Sequence, residues 1–199
     1  KGALSGKDFL TSAVAGYEIG PRVGVCMGNE HITQGWHSGA TVGVFSAAAG
    51  ASSGLGLSED QTVHALGVAG TQAAGLMAAQ FGGMVKRMHA GRSSQSGLYG
   101  ALLAEQGFTG ITDVLESEYG GFCTTFSRSQ DRFDLEQLNH GFGDVWETMG
   151  IALKRKTKSL KMKPRRLLQK KLLKKRKKLL SRKRSFEVKK NVGTPSSIA

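Results

Sequence analysis

The chain has 199 residues, 39% of them hydrophobic, with a formal net charge of +13. That length supports one domain with a sizeable core, but the charge is unevenly placed. Residues 154–199 hold 20 of the 28 Lys and Arg against a single acid, Glu187, while the first 153 residues carry 8 basic and 14 acidic side chains. The bulk of the chain is therefore an ordinary, mildly acidic domain, and the overall basicity says nothing about its partners. Two cysteines, Cys26 and Cys123, are too few for a disulfide scaffold and lack the paired spacing of zinc or iron–sulfur sites. They read as reduced, buried thiols of an intracellular protein, cytoplasmic or mitochondrial.

In chain order, Phe9, Leu10, Ala13, Val14 and Tyr17 recur at three and four, which predicts an amphipathic helix from about Ser5 that fades before Pro21. Gly16, Gly20, Gly24 and Gly28 recur every fourth residue, as do Gly35, Gly39 and Gly43. On a helix that spacing gives a smooth stripe along which a second backbone can approach. A second apolar helix is expected over 38–53, stopped by Gly54 and Gly56. Ser58 and Gln61 then fit a capping box that opens a helix to about Ala79. A further helix is expected from Ser93 or Ser94 to Gly107, with Leu98, Leu102 and Leu103 turned inward, then a short helix over 109–119 and a strand over 146–154. Residues 32–58 and 61–85 contain no Asp, Glu, Lys or Arg, but Gly, Ser, Thr and Gln dilute them too much for a membrane span. No alternating pattern precedes Trp146, so the predicted class is mainly α, with close-packed helices.

The chemistry-bearing residues are few. There is no P-loop, GxSxG elbow or HExxH motif. The stretch FGGMVKRMHAGRSSQSG places Lys86, Arg87, His89 and Arg92 within seven residues, between long uncharged stretches. Cations beside a dry interior are costly unless an anion meets them, either a neighbouring carboxylate or a substrate. A solvated surface pair is the plain alternative for Lys86 and Arg87, but Gly82, Gly83 and Gly91 around them suggest close backbone approach to a site. His37, in QGWHSGATVGVF, stands where a helix should start with glycines on both sides. It is either a core histidine or a ligand-facing one. His64 and His140 are taken as structural.

QGWHSGATVGVF, GTQAAGLMAAQ and above all GGMVKRMHAGRSSQSGLYGALLAEQGFTG resemble the MmgE/PrpD family, which includes 2-methylcitrate dehydratases and cis-aconitate decarboxylases. The resemblance covers residues 2–155. It implies a mainly helical domain carrying an α/β lid, usually paired as a homodimer, and lyase chemistry on small di- or tricarboxylates with no metal and no cofactor. It also implies that His37 and Lys86 lie in the active site, with His89 and Arg92 on the adjoining loop; His37 and Lys86 are therefore the catalytic candidates, and Lys86, His89 and Arg92 the candidates for binding carboxylates. Elimination or decarboxylation builds negative charge on a carbon beside a carboxylate, which a fixed cation such as Lys86 stabilises while an imidazole moves the proton. His37 is the first candidate for that role and His89 the second.

Two departures from the family are expected to leave the pocket incomplete. An upstream helical segment with further site residues is not represented, and after Arg155 the family continues into the lid whereas this chain turns basic. Residues 1–155 thus read as a partial MmgE/PrpD-like domain and 156–199 as a Lys/Arg/Leu-rich tail unrelated to it. The tail fits an arm for nucleic acid or anionic membrane, a localisation signal, or a translated wrong frame or misjoined exon; the last is favoured because the switch falls inside a family-like strand. A non-catalytic helical module with a polyanion-binding tail is the alternative to the lyase reading.

Overall fold

The computed structural model describes residues 4–81 and 83–151. The basic tail and the last part of the expected strand lie outside the described residues. Within them the fold is helical. The long elements are α1 (Gly6–Met27), α4 (Gly43–Leu55), α5 (Glu59–Gly70) and α6 (Val85–Glu105), with short helices α2 (Glu30–Thr33), α3 (Ser38–Thr41) and α7 (Phe122–Ser127). No strand forms among the described residues; an isolated antiparallel bridge joins Trp36 to Leu76.

Helix α4 is the central element and packs against α1, α5 and α6. It can be approached from three sides because the contact faces carry little beyond Cα or Cβ. Gly16 lies against the Ser46 carbonyl, where an added Cβ would come within 2.7 Å. Gly20 leaves room for the Ser46 hydroxyl, and Gly97 for Ala47 and the backbone of Ala48. Gly100 does the same against the Ala65 carbonyl of α5, at 2.7 Å. The expected glycine stripe on α1 is therefore real. The Gly35–Gly39–Gly43 series is not a helical stripe, since Gly35 sits in a turn at φ +91°.

This packing reverses the expected facing of α1 and α6. Phe9, Leu10 and Tyr17 are exposed, as are Leu98 and Leu102, and Leu103 is only half-buried. Glycine, serine and alanine take the inward positions because close backbone approach leaves no room for larger side chains. The larger apolar residues of the core gather elsewhere, around fully buried Phe45, with Val23, Met27, Val44 and Phe122. Phe45 and Phe122 meet edge to face at 4.8 Å between centroids. Cys26 of α1 and Cys123 of α7 lie in the same core as free thiols, their sulfurs 3.8 Å apart.

Helix boundaries differ from expectation at several points. Helix α1 runs through Pro21 to Met27, because the turn around it is held by tertiary contacts made by Glu18 and Arg22. The predicted 38–53 helix is broken at Val42 into α3 and α4, and α4 runs through Gly54 to Leu55 before Gly56, one of the two expected stops, ends it in the left-handed region at φ +67°. The capping box opens α5, with Ser58 N–H donating to Gln61 Oε1 at 3.1 Å and Gln61 N–H to Ser58 Oγ at 3.2 Å. That helix stops at Gly70 rather than Ala79; residues 77–81 form a separate 3₁₀ turn. Helix α6 begins at Val85, two turns before the expected start, so the cationic cluster is on a helix and not in a loop. The 109–119 stretch is turns, the helix coming later as α7, and residues 147–150 form a 3₁₀ turn instead of a strand.

The 140–148 segment is tied to α1 by a buried ion pair. The Arg22 guanidinium donates to the carbonyls of His140 and Val145 at 2.8 and 2.7 Å and stacks on Phe142. Glu18 accepts from the backbone N–H of Glu147 and Thr148 at 3.1 and 2.8 Å and from the Thr148 hydroxyl. Burial alone would raise the Glu18 carboxyl; the bonds from Thr148 and Glu147, with Arg22 alongside, outweigh it and hold it below its ordinary value.

Two glycines of α6 separate packing from helix propensity. Gly97→Ala forces a methyl into α4 and is expected to cost about 2 kcal/mol, lowering Tm by roughly 4–8 °C. Gly91 faces open space, against the close approach expected of it, so Gly91→Ala should raise stability by up to about 1 kcal/mol. Thermal unfolding of both variants checks the pair.

Candidate active site

The site is built where the start of α3 meets the first turns of α6. His37 precedes α3, with its carbonyl accepting from Ala40 and Thr41 N–H at 2.8 and 3.2 Å. Its own N–H donates to the Gly75 carbonyl at 3.1 Å, and Met77 N–H donates to Gly35 at 2.8 Å. These bonds flank the Trp36–Leu76 bridge and fix the 72–77 segment against the His37 turn. Glycine is required at position 75 because a Cβ there would overlap the Ala40 side chain, with the His89 ring 3.5 Å away. From the other side, Ser93 Oγ donates to the Gly39 carbonyl at 3.0 Å, locking α6 to the same turn.

His37 and His89, 52 positions apart, are thereby brought into direct contact. Their Nδ1 atoms are 3.0 Å apart and their rings 5.0 Å between centroids. Two facing nitrogens at that distance share one proton: one ring donates and the other accepts. Protonating both would set N–H against N–H, so the pair resists a double positive charge. Burial, then His89, then the Lys86 ammonium push the His37 imidazole below its ordinary value. It is neutral near pH 7.

The cations are presented on the same helix end. Lys86 is half-buried and its Nζ lies 3.5 Å from Gln80 Oε1; Arg92 donates to Gln95 Oε1 at 2.6 Å. The ion pairs among the described residues are Arg22–Glu18 and Arg132–Glu30, and neither involves Lys86, Arg87 or Arg92. Of the four sequence candidates, His37, Lys86 and His89 form one group, and Arg92 follows His89 along α6 beside an adjacent cavity. Arg87 is exposed. His64 accepts from Gly110 N–H at 3.3 Å, and His140 contributes its carbonyl to Arg22.

One histidine of the neighbourhood escaped the sequence reading. His31 is 1% exposed and its Nε2 lies 2.6 Å from Thr41 Oγ1, whose backbone N–H bonds the His37 carbonyl. Its Nδ1 is buried without a partner, and burial pushes its pKa down to about 4. The only signal in the sequence is its place six residues before His37. Among the described residues, no cluster of His, Cys, Asp or Glu is arranged to hold a metal ion.

This geometry can be set beside known proteins. Residues 2–134 match the MmgE/PrpD N-terminal domain. The chain belongs to the MmgE/PrpD family. Among curated relatives, the cis-aconitate decarboxylase-like protein oryM of Aspergillus oryzae (strain ATCC 42149 / RIB 40) is 46% identical over 158 residues, covering 77% of this chain and 33% of that protein. The cis-aconitate decarboxylase of Aspergillus terreus is 41% identical over 155 residues, 76% of this chain and 32% of its own length. This MmgE/PrpD chain thus spans about a third of the length of the relatives it matches. The match takes in every residue of the His37–His89–Lys86 group.

Two titrations check the site. In histidine NMR spectra His37 should titrate below 6.5, and Lys86→Met should move its pKa upward by removing a neighbouring positive charge. His31 should govern acid stability. Its folded pKa lies below its unfolded value, so the unfolded chain binds the proton first, and stability is lost as pH falls from about 6.5 to about 4. The loss is on the order of 3 kcal/mol. His31→Asn should be less stable at pH 7 but flatten that acid limb in Tm measured against pH.

Proposed function

We propose that this chain carries part of the active site of a carbon–carbon or carbon–oxygen lyase acting on a small di- or tricarboxylate, with decarboxylation of cis-aconitate or a close analogue as the favoured reaction. The observation that carries the reading is the His37–His89 contact at 3.0 Å beside Lys86, on a helix end whose cations have no carboxylate partner among the described residues. The decarboxylase names of two relatives favour loss of CO2 over loss of water.

In this reading Lys86 and Arg92 receive carboxylates of the substrate. The bond from carbon to the departing carboxylate breaks, CO2 leaves, and the electron pair spreads through the double bond towards a remaining carboxylate. Lys86 stabilises that charge, which is greatest in the transition state. One proton then returns to carbon from an imidazolium. The His37–His89 pair, with His37 neutral in the free protein, takes that one proton from water when the anionic substrate binds; His37, with its lowered pKa, then gives it up readily, and His89 holds its Nδ1 in place. Dehydration uses the same parts in a different order: an imidazole takes a proton from the carbon beside a carboxylate, and a protonated group supplies one to the leaving hydroxyl.

Incubation of cis-aconitate with a version of this protein that spans the full length of its relatives, followed by proton NMR, tests the reading, since this chain covers about a third of that length. It is expected to yield itaconate, with kcat lowered at least 100-fold in Lys86→Ala and in His37→Gln. Turnover within twofold of the parent in Lys86→Ala would remove Lys86 from the chemistry. Water addition across the double bond without CO2 release would assign the site to the dehydratase branch.

A further inference from the structure

The core holds a reactive pair that the lyase reading does not use. Cys26, near the end of α1, and Cys123, near the start of α7, are the chain's two cysteines. They stand 97 positions apart in sequence, yet their sulfurs lie 3.8 Å apart. Both are free thiols, 1% and 0% exposed. The two sulfurs are not equivalent. The Cys123 S–H, donating to the Cys26 sulfur, outweighs burial and holds the Cys26 thiol below its ordinary value, while the same bond and burial push Cys123 up. Cys26 is therefore the sulfur that ionises first, and the thiolate is the form that attacks.

Helix α7 is the element free to bring the sulfurs together. It has six residues and no side-chain cap, and it stands between Gly120 at φ +76° and Arg128 at φ +55°, both in the left-handed region. A helix that short is held by the burial of its side chains more than by its own hydrogen bonds. Phe122 and Phe126 on the same helix pack towards the site. Phe126 meets Trp36 edge-on at 4.7 Å and His31 at 5.9 Å between centroids, and Phe122 lies 6.1 Å from His31. Trp36 directly precedes His37. A link between α1 and α7 would fix the aromatic layer against which the His37 turn rests.

We propose that Cys26 and Cys123 form a reversible, peroxide-driven disulfide that locks α7 to α1. The pair uses no residue assigned to the lyase chemistry, so the proposal stands apart from that reading. Hydrogen peroxide, little larger than water, reaches the sulfurs when α7 opens locally. The Cys26 thiolate attacks one peroxide oxygen, the O–O bond breaks, and the departing hydroxide takes up the proton that Cys26 released and leaves as water. Cys123 then attacks the sulfur of the resulting sulfenic acid, the S–O bond breaks, and that oxygen leaves with the Cys123 proton as a second water. Two thiols lose two electrons, and one peroxide is reduced. A dithiol reverses the change by exchange, becoming a disulfide itself. The sulfurs must close from 3.8 Å to about 2.05 Å, which rotation of two short side chains and a small shift of α7 supply. A cross-link of that span restricts the unfolded chain and so stabilises the folded one.

The test is treatment of the whole chain, dilute, folded and fully reduced beforehand, with a modest excess of hydrogen peroxide. Intact mass, peptide mapping without reductant and thermal unfolding are read before and after, in the parent and in Cys26→Ala and Cys123→Ala. The parent is expected to lose the mass of two hydrogens and to yield a peptide pair joined through Cys26 and Cys123. Its Tm should rise by roughly 5–15 °C, with dithiothreitol reversing all three changes. In each alanine variant peroxide should leave Tm where it was. The reduced parent is its own reference, so the result holds even where an alanine variant does not fold. Oxygen added without the joined peptides, links between chains only, or a link that forms only in denaturant overturns the proposal. A native link that leaves Tm unchanged or lowers it overturns the lock.

Discussion

The structure depends on backbones that approach one another closely on either side of α4. Gly16 and Gly20 of α1 meet Ser46, and Gly97 of α6 meets Ala47 and Ala48. At such distances packing is governed by excluded volume more than by the area of large side chains, and a single methyl has nowhere to go. This explains why Phe9, Leu10 and Tyr17 turn outward from α1 while Ser12, Gly16 and Gly20 turn inward. Large side chains reappear only where helices diverge, in the Phe45–Phe122 layer with Met27 and Val44.

The site inherits its precision from that arrangement. Helix α6 is held against α4 over Gly97 and Ser93, which fixes the height of its first turns relative to the start of α3. His89 is one turn before Ser93 on α6, and His37 is two residues before Gly39, whose carbonyl Ser93 binds. The meeting of the imidazoles is thus set by one side-chain hydrogen bond, one glycine at position 75 and the rigidity of two helices. Behind His37, the chain from His31 through Thr41 adds a second, buried layer of support.

Much of this was legible from residue types, and the part that was not has a physical cause. The helical class, the glycine stripe of α1, the capping box at Ser58 and the stop at Gly56 are local signals, and they hold. The grouping of His37, Lys86 and His89 came from their family-like motifs and from the oddity of cations beside apolar stretches. The facing of α1 and α6 was misread because the rule that apolar stripes point inward assumes room for apolar side chains, which glycine-mediated contact removes. The start of α6 was placed two turns late for a related reason. Lys86 and Arg87 are poor residues for the first turn of a helix, so local preference argued against the helix that tertiary packing enforces. The roles of Glu18, Arg22 and His31 depend on partners 10 to 130 positions away, which no local pattern encodes.

That awkward helix start bears on the chemistry. The N-terminus of a helix carries partial positive charge, and cations there are disfavoured by about 0.3–1 kcal/mol each at exposed positions. Helix α6 opens on Val85, Lys86 and Arg87, with no acidic residue in its first turn and no side-chain cap. Nothing in folding stability recommends that choice; Glu or Asp would serve the helix better. His37 is held towards neutrality mainly by burial, with His89 and the Lys86 ammonium acting in the same direction, so it adds no charge to that field. What remains unbalanced in the described residues is a concentration of positive potential beside a polar dyad and an apolar cavity. In the proposed lyase reading a substrate carboxylate supplies the balancing charge and offsets what the arrangement costs the helix.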